Sequence, residues 1–173
     1  MLALPHKIVK KKQTKRDVCR NWGIPETVKT FNLRYQNPIE KGILWFFFSL
    51  FIRKRDVKKY GTCISCGREI TVESCDAGHF APTANCGFDL LFDPLNVNAE
   101  CSHCNAWDEM HLLGYAKNLD KRYGEGTAEN IKIRRECYRE RKPYPDRTMP
   151  RIKDWTRVEY EQKLSLLKKD TGI

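Results

Sequence analysis

Residues 63–105 read CISCGREITVESCDAGHFAPTANCGFDLLFDPLNVNAECSHCN, a stretch with a Cys-x-x-Cys pair near each end. Two residues between cysteines let one tight turn present both thiolates to a single ion, and two such turns complete a tetrahedral site. Gly67, directly after the first pair, suits the close turn of the backbone around a metal. Chance spacing or redox-active pairs are the alternative, but two pairs in one chain favour structural zinc. The predicted zinc ligands are Cys63, Cys66, Cys101 and Cys104.

An ordered set of polar side chains fills the space between the two pairs and just beyond. His79 comes first, Asn96 follows shortly before the second pair, and Asn105 stands directly after it. This spacing suits a β-hairpin followed by a helix, with zinc joining them at the base. Glycines and prolines punctuate the segment and leave room for short strands such as Glu69–Ser74.

An apolar segment precedes the first pair. Lys41–Lys59 is predicted to be a helix, because Trp45, Phe48 and Ile52 recur at helical spacing. The segment is apolar nearly all round, so we expect burial on more than one side, either in the core or at a dimer interface.

Further helices are predicted after the second pair. One runs from Asn105 to Tyr123, where Gly124 supplies a stop. Thr127 is the predicted N-cap of a second helix that ends at about Arg141. A proline-rich linker leads to a final amphipathic helix at about 155–169.

These elements predict an α+β protein: a zinc-clipped core of a β-hairpin and a helix, with flanking helices and a basic N-terminal arm. The predicted boundaries are an arm at 1–40, a helix with the zinc-bound core at 41–126, and a helical extension at 127–173.

The net charge of +10 is unevenly distributed along the chain. Residues 1–61 carry 15 Lys/Arg and 4 Asp/Glu, residues 62–126 carry 4 and 10, and residues 127–173 carry 13 and 8. Basic flanks favour a polyanionic partner, because Lys and Arg neutralise phosphates and release counterions. An acidic central segment is unusual in a protein that binds nucleic acid unless it holds a cation. The segment 62–126 therefore indicates a bound divalent metal ion.

The location is inferred from the apolar pattern. No apolar run approaches the length of about 18 residues needed to cross a bilayer, and the basic start lacks the apolar stretch of a signal peptide. We therefore expect a cytoplasmic protein with no membrane partner, in which cysteines bind metal and do not form disulfides. No role is assigned to four of the eight cysteines, Cys19, Cys75, Cys86 and Cys137.

The motifs DAGHF (76–80) and LLFDPLNVNAECSHCN (90–105), with Tyr115, Leu119 and Gly124 downstream, resemble those of the phage NinG (Rap) recombination nucleases. The resemblance covers roughly 41–125 and implies membership of the HNH superfamily, so that the zinc-clipped core within 41–126 would be a ββα-metal (HNH) nuclease core. It also implies action on branched recombination intermediates inside a phage-infected or prophage-bearing bacterium. The asparagine directly after the last cysteine is similar to the arrangement in phage endonuclease VII junction resolvases.

The resemblance implies a role for each motif residue. His79 takes the place of the general base, and Asn96 ties the hairpin loop together and helps to hold the histidine. Asn105 takes the place of a ligand for catalytic Mg²⁺ or Mn²⁺. Many relatives carry an acidic or histidine ligand directly before the catalytic histidine, whereas this chain has Gly78. Three residues are candidates to complete the metal site: Asp76, Asp108 and His111.

The predicted function is hydrolysis of DNA phosphodiester bonds, favouring branched substrates such as Holliday junctions or D-loops. Paired nicks on opposed strands make a homodimer attractive. Two alternatives remain open: a general or site-specific HNH nuclease on duplex DNA, and a non-catalytic zinc-dependent nucleic-acid-binding module. The predicted phosphate contacts are Lys10, Lys11, Lys12, Lys15, Arg16, Arg53 and Arg55.

Deleting residues 1–20 should weaken DNA binding and flatten its dependence on salt, because fewer counterions are released on association. The measurement is the dissociation constant for a DNA duplex over a range of salt concentrations, with the full chain as control. An unchanged salt slope would contradict a phosphate-binding arm.

Overall fold

The computed structural model describes Arg20 and residues 38–82, 90–140, 165–166 and 168–170. The chain divides into two units, Met1–Ile43 and Leu44–Ile173. The strands and helices described below lie in the second unit, apart from residues 38–43 of the first helix. The predictions for the basic arm, the proline-rich linker and most of the final helix lie outside the described residues, as do Cys19 and Cys86.

Helix α1 spans Pro38–Lys59 and so begins three residues before the predicted start. Proline is well tolerated in the first turn of a helix, where its missing N–H has no intrahelical partner to lose. Phe46, Phe47 and Phe48 are all buried. Because consecutive helical residues point about 100° apart, three buried neighbours occupy more than half of the circumference. The expected burial on more than one side is confirmed.

Two short antiparallel strands form the sheet, which confirms a mixed α+β fold. Strand β1 is Cys75–His79 and strand β2 is Val97–Cys101. Their register pairs Cys75 with Cys101 and His79 with Val97. All five residues of β2 are buried.

The predicted strand at Glu69–Ser74 is wrong. Glu69 makes only an isolated bridge with Thr62, and a turn follows before β1 begins. The cause is local: the backbone N–H of Thr71 donates to Ser74 Oγ at 2.8 Å, and the N–H of Ser74 donates to Thr71 Oγ1 at 3.2 Å. Such hydroxyl contacts offer the backbone an alternative to strand pairing.

The predicted helix at 105–123 is two helices. Helix α2 spans Ser102–Ala106 and helix α3 spans His111–Tyr123. Between them, Asp108 Oδ1 accepts the backbone N–H of Met110 at 2.9 Å. A short acidic side chain that binds the backbone two residues on favours a turn over a continuous helix.

Helix α4 spans Thr127–Arg139. The predicted stop at Gly124 is confirmed, since its φ of 110° lies in the region that favours glycine. Thr127 is the first helical residue and not the N-cap, a position held by Gly126. The Thr127 hydroxyl instead donates to Gly124 O at 2.7 Å, while Asp120 Oδ1 accepts the N–H of Ala128 at 2.9 Å. Among the described residues, no helix is long and apolar enough to span a membrane.

A buried ion pair joins α1 to the sheet. The Asp56 side chain is fully buried; its Oδ2 accepts the N–H of Ala99 at 2.7 Å, and its Oδ1 accepts Arg55 Nε at 2.6 Å. The Arg55 guanidinium also donates to Pro94 O at 2.9 Å and to Asn98 Oδ1 at 3.1 Å. One arginine therefore connects α1 to both the loop before β2 and β2 itself.

We expect Asp56→Ala to lower the free energy of unfolding by about 3 kcal/mol, because it removes the counter-ion of the partly buried Arg55 guanidinium and leaves the buried N–H of Ala99 without an acceptor. Glu136→Ala is the matched control, since Glu136 pairs with Arg139 on the surface, where both side chains are about half exposed. Exposed pairs contribute about 0–1 kcal/mol. Urea unfolding measures both variants, and equal losses would contradict a structural role specific to Asp56.

Candidate functional site

Four cysteine sulfurs converge beside the sheet. The Sγ atoms of Cys63, Cys66, Cys101 and Cys104 all lie within 4.8 Å of one another. Cys66 is exposed and the other three are buried. This cluster is the group predicted from the two Cys-x-x-Cys pairs, and its four thiol groups could hold a zinc ion.

The backbone around the first pair turns as a metal knuckle requires. Gly67 has a φ of 74°, and its N–H donates to Cys63 O at 3.0 Å. Cys63 Sγ in turn accepts the N–H of Cys101 at 3.3 Å, which stabilises negative charge on the sulfur. The sequence therefore places glycine where the chain must fold tightly around the four sulfurs.

The second pair lies at the junction of two elements. Cys101 ends β2, and Cys104 lies one turn into α2. Burial, followed by hydrogen bonds from the neighbouring thiols of Cys101 and Cys66, raises the pKa of the Cys104 thiol. A cation is the natural way to stabilise thiolates in such a setting, because metal binding displaces their protons.

Two other described cysteines lie outside the cluster. Cys75 is buried, and that burial raises the pKa of its thiol to about 11. Cys137 lies on α4 and is partly exposed. Neither belongs to the four-sulfur group.

His79 is held at the end of β1 by two contacts. Its Nε2 lies 3.0 Å from Leu91 O, and its ring stacks on Trp45 with centroids 5.0 Å apart. Because a carbonyl oxygen only accepts hydrogen bonds, Nε2 carries the proton and Nδ1 keeps its lone pair. Burial lowers the pKa of His79 below its usual value of 6.5, against a smaller opposing effect of the Leu91 hydrogen bond. The imidazole is thus neutral near pH 7.

Asn96 is fully buried in the loop between the strands. Its Oδ1 accepts the N–H of Ala81 at 2.7 Å, and its Nδ2 donates to Leu90 O at 2.8 Å and to Ala81 O at 3.3 Å. One amide therefore joins the two ends of the loop that carries Leu91, the partner of His79.

Asn105 lies on the exposed side of α2, next to β1. Its Nδ2 lies 3.5 Å from Asp76 Oδ2. Its Oδ1 lies 3.0 Å from the point that a Cβ on Gly78 would occupy. The amide thus directs its oxygen toward Gly78 and its nitrogen toward the Asp76 carboxylate.

A buried acid that sequence reasoning missed, Glu100, borders the same space. Glu100 is fully buried, and its Oε2 lies 2.2 Å from the position of that absent Cβ. Its Oε1 accepts hydrogen bonds from Ser65 Oγ and, at 2.6 Å, from His111 Nδ1. The available signal was an acid directly before a predicted zinc ligand, but only the strand register shows that Glu100 lies opposite Asp76.

The structure thus brings some predicted residues together and not others. Asp76, Asn105 and His111 gather around Glu100, whereas His79 and Asn96 contact the loop between the strands. Tyr115 links the groups, since its hydroxyl donates to Gly78 O at 2.8 Å and lies 3.3 Å from Asn96 O.

The helical spacing that suggested Asp108 does not apply, because α2 ends at Ala106. The two described arginines predicted to bind DNA both make internal contacts. Arg53 donates to Val72 O at 2.7 Å, and Arg55 binds Asp56 and the loop before β2. Their DNA contacts stay a prediction.

Comparison with known proteins identifies the family. The model of the family described as Bacteriophage Lambda NinG protein matches residues 42–170. This chain belongs to the NinG family. Protein ninG of Salmonella phage P22 is 34% identical over 118 residues, covering 68% of this chain and 52% of that relative.

Two further proteins that match this chain are also named protein ninG. Protein ninG of Escherichia phage lambda is 32% identical over 125 residues, with the same coverage of both chains as the P22 protein. That of Escherichia phage 933W is 37% identical over 81 residues, or 47% of this chain and 38% of the relative. The chain therefore spans about half the length of these NinG proteins or less. No solved structure shows a significant match.

We expect one tightly bound zinc per chain of this NinG protein, and Cys101→Ser should lose it together with local structure, because zinc contributes folding free energy directly. Cys137→Ser is the control, since Cys137 lies outside the cluster. Elemental analysis and circular dichroism with and without chelator measure both effects. A fold that contains no zinc and does not respond to chelator would contradict the metal site.

Proposed function

We propose that this chain is a metal-dependent endonuclease of the HNH type that hydrolyses DNA phosphodiester bonds. The observation that carries the proposal is a neutral, oriented histidine at the end of β1, on the hairpin that α2 and Asn105 directly follow. His79, Asn96 and Asn105 occur in the order that the HNH motif requires.

His79 serves as the general base. Its Nε2 proton is committed to Leu91 O, so Nδ1 is the atom that takes a proton from water. A neutral imidazole is suited to this transfer near pH 7, and its orientation is fixed by the Trp45 stack and by the loop that Asn96 joins.

Asn105 supplies an oxygen ligand for Mg²⁺ or Mn²⁺. The amide orientation supports this role, because Oδ1 lies beside Gly78 and near the Glu100 carboxylate, while Nδ2 lies toward Asp76. Amide and carboxylate oxygens are the ligands that Mg²⁺ prefers. When bound, the cation would stabilise charge on the scissile phosphate and the leaving oxygen.

Branched recombination intermediates are the proposed substrate, within a phage-infected or prophage-bearing bacterium. The support is the resemblance to recombination nucleases, together with the basic flanks on either side of the acidic centre. A fold alone does not fix a substrate, so duplex cleavage is the first competing activity to test.

One observation favours a second candidate, a zinc-dependent DNA-binding module without catalysis. Gly78 provides no side chain where many HNH nucleases have a metal ligand. Incubating the protein with matched four-way, flap and linear duplex DNA in Mg²⁺ separates the candidates. Cleavage favouring branched DNA supports the proposal, whereas binding without cleavage selects the module.

His79→Ala should reduce the cleavage rate on the order of a hundred- to ten-thousand-fold, because the proton acceptor is lost, while zinc content and DNA affinity stay intact. Asn105→Ala should also be inactive, but excess Mn²⁺ should partly restore it, since that variant loses a metal ligand. His103→Ala is the matched control, because His103 is an exposed histidine that belongs neither to the sulfur cluster nor to the candidate catalytic residues. Cleavage of a four-way junction by His79→Ala at the full rate would refute the HNH assignment.

A further inference from the structure

Glu100 is a buried acid with one oxygen left over. The side chain is fully buried, yet Oε2 has no hydrogen-bond partner. A buried polar atom without a partner costs free energy, and carboxylates in protein interiors are normally paired or bound to metal. Oε2 is therefore a candidate ligand for a cation.

The other oxygen of the same carboxylate is held on two sides. Ser65 Oγ and His111 Nδ1 both donate to Oε1, the latter at 2.6 Å. Carboxylates that ligate metals are typically held in this way by outer partners, which fix the oxygen that faces the ion. His111 is thus placed as a positioning residue for Glu100.

Gly78 leaves the room that Glu100 Oε2 occupies. A Cβ at this position would lie 2.2 Å from Glu100 Oε2 and 3.0 Å from Asn105 Oδ1. The first distance is far below any van der Waals contact, so a side chain at 78 and the present position of Glu100 exclude each other. Both oxygens therefore lie close to one point beside Gly78, where a residue with a side chain would not fit.

We propose that Glu100 and Asn105 together bind the divalent cation above Gly78, with Glu100 supplying the carboxylate that position 78 lacks. The ligand class is a hard cation such as Mg²⁺ or Mn²⁺, which takes oxygen donors and keeps several waters. The proposal rests on the proposed nuclease function, and it moves the acidic ligand from β1 to the neighbouring strand.

Asp76 and Asp108 have other contacts. Asp76 lies beside the amide nitrogen of Asn105 and thereby turns the oxygen of that amide toward Gly78 and Glu100. Asp108 Oδ1 accepts the N–H of Met110 in the turn before α3. Of the three acids, Glu100 alone has an oxygen that is both fully buried and without a partner.

Mn²⁺ binding to the zinc-loaded protein, followed by electron paramagnetic resonance, tests the site without reference to cleavage. His111→Ala should weaken Mn²⁺ binding by about tenfold to a hundredfold, and Glu100→Gln should weaken it by at least as much. Glu73→Gln makes the same chemical change at an exposed turn residue and should bind Mn²⁺ like the wild type. Wild-type affinity in Glu100→Gln would overturn the proposal.

An exchange variant keeps the test decisive if Glu100→Gln loses zinc or unfolds. Glu100→Ala combined with Gly78→Asp removes the buried acid and places a carboxylate on β1, in the vacated space. Mn²⁺ affinity should return in this double variant relative to Glu100→Ala alone. In the wild type, substoichiometric Mn²⁺ should first broaden the amide resonances of Gly78, Glu100 and Asn105, and broadening confined to other residues would refute the site.

Mn²⁺ binding and DNA cleavage, measured on the same variants, separate the metal-site proposal from the nuclease proposal. If Glu100→Gln binds Mn²⁺ and cleaves DNA normally while Asn105→Ala does neither, the nuclease stands and another group completes its site. If the wild type neither binds Mn²⁺ nor cleaves any substrate, both proposals fail.

Discussion

The convergence of four cysteine sulfurs is the constraint on which the rest of the structure depends. A two-stranded hairpin with five-residue strands buries too little apolar surface to be stable alone. The cluster joins the turn at 63–66 to the end of β2 and the start of α2. It therefore sets the position of α2, and with it the side chain of Asn105, relative to the sheet.

A second, polar connection orients α1 on the same hairpin. Asp56 accepts the N–H of Ala99 in the middle of β2, while Arg55 reaches the loop before that strand. This contact places α1 alongside the hairpin, with Trp45 stacked on the His79 ring. The helix thus acts as a support for the candidate base as well as an apolar element of the core.

The chemistry of the site is divided between two strands. The family resemblance draws attention to β1, which carries Gly78 and His79. The buried acid, however, lies on β2, where Glu100 takes the space that a side chain at 78 would need. The buried carboxylate near Asn105 is thus carried by β2, and β1 contributes the glycine that leaves room for it.

Sequence alone determined the features that depend on local spacing. The two Cys-x-x-Cys pairs gave the sulfur cluster, the run of phenylalanines gave a helix buried on several sides, and Gly124 gave the end of α3. Side-chain hydrogen bonds and strand register, which apolar spacing does not report, decided the rest. The Thr71 and Ser74 hydroxyls compete with strand pairing, and Asp108 interrupts a helical pattern, so periodicity failed at both places. Glu100 was missed because its importance follows from strand register, which sets the residue that each side chain faces and which no short-range pattern encodes.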